Sequence, residues 1–298
     1  MELLLTNLTS AVVLAFALGI IARAVRSDLT IPDQIQTYLS IFLLLAIGLK
    51  GGVALRGQDP GLLAMLIAMT LAAGAATAFS AYFLAKSILG DVRREAAAMA
   101  AHYGSVSAVT FIAASQFAER SGHAPDGVLV ALLVVLEVPA LLREVFTGKT
   151  AILLLGGLAI GAISGPDGIK KVDAMYFALF QGVLMLFMLD MGMIAASRLA
   201  ELRRGWFKLL TFGLVVPLLH GVLGVLLAHA CGLSVGGVAV FGAMLSSASY
   251  IAAPAAVRAG LPEADVGRCI TAALGITFPF NLAIGIPLYA ALAQRLAA

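Results

Sequence analysis

Apolar runs of about twenty residues, each long enough to cross a bilayer as a helix, recur along almost the whole of this chain. In hydrocarbon every backbone polar group has to be satisfied inside the protein, so such runs fold as helices. They place ten spans near residues 6–25, 36–56, 61–88, 94–119, 126–146, 150–164, 174–199, 205–230, 234–258 and 264–296. The sixth is short and Gly-rich. Of 298 residues, 61% are hydrophobic and 12% charged, against about 25% charged in a soluble domain. That balance excludes a water-soluble enzyme, a nucleic-acid-binding protein and a disordered chain, and leaves an all-α polytopic membrane protein in contact with lipid. The first run has no basic region before it and reads as a retained helix rather than a signal peptide. Cys231 and Cys269 form no disulfide framework or metal site.

Charge fixes an expected orientation. With the N-terminus outside, thirteen basic residues fall at inner ends, among them Arg23, Arg94, Lys149, Arg198 and Arg268, and five at outer ends. The positive-inside rule then puts both termini outside.

The halves resemble each other. Gly104-Ser-Val-Ser107 and Ser246-Ser-Ala-Ser249 each precede a small-residue helix. Arg120 and Gly122 follow the first, Arg258 and Gly260 the second, and Val138-Pro139 is echoed by Ile286-Pro287. Five spans per half is an odd number, so residues 1–149 and 150–298 form two inverted five-helix repeats, a plan common among secondary transporters.

The two serine segments fall mid-span, where Gly and Ser weaken a helix. A break there exposes unpaired N–H groups and a partial positive charge, and serine can cap it. Two facing breaks make an anion site without a basic side chain. The expected donors are the N–H groups of Val106, Ser107, Ala248 and Ser249, with hydroxyls from Ser105, Ser107, Ser247 and Ser249. The bland alternative is close helix crossing on small residues.

Few charges remain inside the spans. Glu137 lies in the fifth, where a charged carboxylate costs about 2.5–3.5 kcal/mol on insertion scales. It reads as a coupling-ion or proton site, or as a buried hydrogen bond to the broken helix. Pro139 frees a carbonyl near Val135. Thr277 and Asn281, four apart with Pro279 between, are ion ligands or interhelical hydrogen bonds, and Thr110 joins the coupling-ion candidates. Lys50 reads as snorkelling to the interface, with a gating charge or local contact as alternatives. Asp190, at a comparable place in the second half, is too short to snorkel. The histidines lack metal-site spacing and read as structural.

Taken together, Leu43-Leu-Leu-Ala-Ile-Gly-Leu-Lys-Gly-Gly52, Gly104-Ser-Val-Ser107, Met191-Gly-Met193 with Ser197-Arg198, Pro217 with His220-Gly221, the cluster from Ser246, Arg258-Ala-Gly260 and Ile286-Pro287-Leu288 give a resemblance over nearly the whole chain. It resembles the sodium-dependent bicarbonate transporters known from cyanobacteria, related to the bile-acid-transporter fold. The resemblance implies a multi-pass protein of the bacterial inner membrane. Spans 1, 2, 6 and 7 would form a gate or scaffold domain, spans 3–5 and 8–10 the core, and spans 4 and 9 the crossing broken helices. It also implies bicarbonate at the breaks, sodium as driving ion with no other cofactor, a homotrimer and a PII-like cytoplasmic regulator. The chain departs from the family pattern at Tyr250, where that pattern has an aspartate, and in lacking a long insertion between the halves. Glu137 keeps the family's acid. The reading is sodium-coupled bicarbonate import by alternating access, with Tyr250 in the substrate site and sodium near Glu137. The alternative is a proton- or sodium-coupled carrier of another small carboxylate or inorganic anion. An intramembrane enzyme lacks its catalytic constellation.

Overall fold

The computed structural model describes residues 2–137, 149–200 and 206–298, and among them it is helical with no strand. Among the described residues seven helical stretches, with Arg93–Arg120 counted as one, are long and apolar enough to cross a membrane. The second half of the fifth span, Pro139, Arg143, Thr147, Gly148, Arg203 and Arg204 lie outside the described residues.

In chain order the helices are α1 (Glu2–Leu8), α2 (Ala11–Ala24), α3 (Asp33–Leu55), α4 (Pro60–Leu89), α5 (Arg93–Tyr103), α6 (Ala108–Arg120), α7 (Leu129–Glu137), α8 (Lys149–Lys170), α9 (Phe180–Ala200), α10 (Trp206–Ala230), α11 (Val235–Leu245), α12 (Ala253–Gly260) and α13 (Val266–Ala297). The first expected span is thus two helices, broken where Ser10 caps α2 through Val13 N. The sixth runs on past residue 164 through a kink at Gly165, whose φ of 65° suits glycine, followed by Pro166.

Two helix pairs pack most closely: α3 against α8, and α2 against α9. Both depend on missing side chains. A Cβ on Gly52 would lie 2.2 Å from the Leu158 carbonyl oxygen, and one on Gly19 2.0 Å from that of Leu189. Backbones this close gain van der Waals contact that lipid cannot supply. The faces turned away carry exposed Leu14, Leu18 and Ile21 on α2 and Ile152, Ile160 and Ile163 on α8. Apolar surface of that kind suits lipid, not water.

The remaining helices bury the two broken ones. α11 packs on α10, α13 and α6, and α5 on α4. α13 is continuous but loosens into π-helical turns at Thr271–Thr277 and Asn281–Gly285. Each stretch ends just before a proline, Pro279 or Pro287, which cannot donate to the ladder. Phe278 N and Ile286 N bond five residues back, to Ala273 and Asn281. On that register Pro287 leaves the Leu282 carbonyl without its donor, and Asn7 Nδ2 fills the gap at 2.6 Å. Pro217 in α10 likewise frees the Gly213 carbonyl, which accepts from Thr277 Oγ1 at 2.8 Å.

Candidate functional site

Both serine segments break their helices. α5 stops at Tyr103, Gly104 to Ser107 run non-helically, and α6 starts at Ala108 with Ser107 Oγ capping Thr110 N at 3.3 Å. α11 stops at Leu245, and α12 starts at Ala253, whose N–H donates to Ser249 Oγ at 3.2 Å. The cap is legible in the sequence because serine at this position holds an orphan N–H.

The two breaks clasp each other. Ser107 N donates to Ser247 Oγ at 2.8 Å, and Ser249 N to the His102 carbonyl at 2.8 Å. His102 Nδ1 lies 2.7 Å from the Ser249 carbonyl oxygen. A carbonyl only accepts, so Nδ1 carries the proton. His102 is therefore a structural clamp between the breaks.

This clasp redistributes the expected donors. The N–H groups of Ser107 and Ser249 are spent across the seam, and Ala248 lies in the core with Tyr103 and Phe212. The central pocket is lined by Val106, Ala108 and Val109 on one side and by Tyr250, Ile251 and Ala252 on the other. Among the described residues their N–H groups have no acceptor, as expected of the first turn of a helix and the segment leading into one. Ser107, Ser249, Glu137, Lys149 and Ser40 also line this pocket. The Tyr250 hydroxyl is buried against Ser107 without a hydrogen bond of ordinary geometry. Its cavity volume of ≈ 20 Å³ is room for about one water molecule.

The pocket lies between two larger cavities of ≈ 240 Å³ each. The helices show their order. Along α3, Gln36 and Thr37 line one cavity, Leu43 and Leu44 the central pocket, and Lys50 and Ala54 the other. Along α9 the sequence runs from Arg198 through Phe187 to Gln181. The Arg198 cavity shares Ser40, Lys149, Phe187, Tyr250 and Ile251 with the central pocket, whereas among the described residues the Lys50 cavity shares only Ile112 with it.

The coupling-ion candidates do not converge. Glu137 is buried at the central pocket, but Thr110, Thr277 and Asn281 do not line it. Thr277 Oγ1 serves Gly213 and accepts from the Tyr103 hydroxyl at 2.7 Å. Asn281 exchanges bonds of 3.0 Å with the backbone and hydroxyl of Ser246. Both act as interhelical hydrogen bonds. No group of three or more His, Cys, Asp or Glu side chains that could hold a metal ion occurs among the described residues. Ser105 is buried beside the break, outside the lining of the pocket.

Lys50 pairs with Glu119 of α6, the local contact among its expected roles. Asp190 is buried in α9 with one carboxylate oxygen unpartnered. Lys149, Ser40 and the Tyr250–Ala252 backbone were not singled out for this site by the sequence, apart from Tyr250 itself. A lysine at a span end reads as an orientation charge, and a lone serine in an apolar helix reads as tolerated polarity.

The sequence model of one family, described as the Na+-dependent bicarbonate transporter superfamily, matches residues 11–143 and 140–294. No curated protein matches the sequence.

Proposed function

The chain belongs to the Na+-dependent bicarbonate transporter superfamily, and from that premise we propose that it imports bicarbonate together with sodium by alternating access. The observation that carries this reading is the pair of clasped helix breaks whose residues, several with unpaired N–H groups, line one pocket. Helix N-termini favour anions through oriented N–H groups and the helix dipole. Bicarbonate would accept from the N–H groups of Ala108 and Val109 and of the Tyr250–Ala252 segment, with the Tyr250 hydroxyl as a further donor. Sodium would sit beside Glu137 and offset the anion's charge.

The architecture that goes with this is ten spans in two inverted repeats, 1–149 and 150–298. The close pairs support it, since inversion exchanges span 2 with 7 and span 6 with 1, turning α3–α8 into α9–α2. Those four helices would be the scaffold, and the helices around the breaks the moving core. On the expected orientation, the Lys50 cavity opens outward and the Arg198 cavity inward. Shifting the core would connect the narrow central pocket to each in turn. A homotrimer in the bacterial inner membrane, with both termini outside, completes the proposal.

Glu137 and Tyr250 also favour a second reading, a proton-coupled carrier of a small carboxylate. Uptake of labelled bicarbonate into proteoliposomes decides between them. The first reading expects accumulation driven by an inward sodium gradient and none from a pH gradient alone. Equal uptake with and without the sodium gradient would overturn sodium coupling, and uptake driven by pH alone would favour the second reading.

A further inference from the structure

A chain of polar contacts runs along the lining of the cavity on the Lys50 side, and the central site makes no use of it. Lys50 Nζ of α3 pairs with Glu119 Oε1 of α6. The other oxygen of Glu119 accepts from Gln116 Nε2, one turn back on α6, at 3.5 Å. Gln116 Oε1 in turn accepts from Gln181 Nε2 at the start of α9. Three helices are thereby tied in one line. All four side chains line the same ≈ 240 Å³ cavity.

The position of this line matters more than its strength. Ile112, one helical turn from Gln116 on α6, is among the described residues the one that borders both this cavity and the central pocket. Opening a passage past Ile112 requires α6 to move relative to α3 or α9. A hydrogen bond is gone once its atoms separate much beyond 3.5 Å, and an ion pair as exposed as Lys50, at 60% for its side chain, is individually weak. Contacts like these hold one conformation without locking it, which a gate that cycles needs.

We propose that Lys50, Glu119, Gln116 and Gln181 form a polar latch that holds α6 of the core against α3 and α9 of the scaffold and closes the Lys50-side cavity off from the central pocket. This rests on the alternating-access reading above, but not on the cargo.

The test uses the full chain with Cys231→Ser, Cys269→Ala and Val109→Cys, which puts one thiol in the central pocket just beyond Ile112. A membrane-impermeant thiol reagent is applied from the Lys50 side, without sodium or bicarbonate. Lys50→Glu or Glu119→Lys alone sets like charges together, and each should speed labelling by about fivefold or more. The double exchange Lys50→Glu with Glu119→Lys rebuilds the pair and should return the rate to that of the parent. Gln181→Ala, a milder change at a helix start, should give a smaller acceleration. Labelling unchanged by every single substitution would overturn the latch, and so would fast labelling that persists in the double exchange. Latch-dependent labelling, with no bicarbonate uptake by the unsubstituted chain, would leave the latch standing and remove the cargo.

Discussion

Tyr250 separates stability from binding at a single residue. Its hydroxyl is buried without a hydrogen bond, at the rim of the central pocket. A buried unsatisfied hydroxyl costs about 1–3 kcal/mol, and Tyr250→Phe removes it while keeping the ring against Phe278. We expect unfolding in detergent at the same or a slightly higher temperature. Bicarbonate binding should weaken by about tenfold, the loss of one useful hydrogen bond. Unchanged binding with raised stability would mark the hydroxyl as a packing fault rather than a ligand. Residue-scale legibility was uneven for a physical reason. Ser107 and Ser249 were readable because caps are local, lying within four residues of the N–H they hold. That the Ser107 and Ser249 N–H groups are consumed across the seam was not readable, because their partners come from the opposite half of the chain.

At the scale of elements, the prolines show where sequence reasoning stops. A proline frees a carbonyl, and the sequence says which turn. What fills the vacancy is set by packing. The carbonyl that Pro217 frees is met by Thr277, 64 residues beyond Gly213 in the chain. Thr277→Val keeps the shape but removes the hydroxyl. It leaves the Gly213 carbonyl and the Tyr103 hydroxyl, both deep in α10 and α5, without partners. A loss of about 1–3 kcal/mol for each buried group follows, measured as a clear fall in unfolding temperature. Thr277→Ser should recover most of it, since serine restores the hydroxyl. Full stability in the valine variant would show that the freed carbonyl had found another donor. The all-helical, span-forming character was legible, because apolar length alone specifies a span. The split of the first span at Ser10 was missed, since a short polar interruption inside an apolar run looks like a surface position.

For the whole molecule, the close helix pairs, the clasped breaks and the three cavities in line all fit the proposed alternating-access cycle. Gly52 and Gly19 let two helix pairs close on each other, which suits them to be the scaffold of the proposed transport cycle. The clasp between His102, Ser107, Ser247 and Ser249 holds the two breaks together. The weak halves of the sequence repeat pointed to this pairing, while the cavities depend on the close approach of helices far apart in sequence and could not be read from it. With so few charges in the interior, the proposed function assigns binding to backbone N–H groups. The central claim is that these groups hold the anion. The most direct measurement is an electron cryo-microscopy map of the protein in lipid nanodiscs, at saturating sodium and bicarbonate. The account predicts anion density between the start of α6 and the Tyr250–Ala252 segment, absent when bicarbonate is left out. A bound anion elsewhere, with this pocket closed and unchanged, would contradict it.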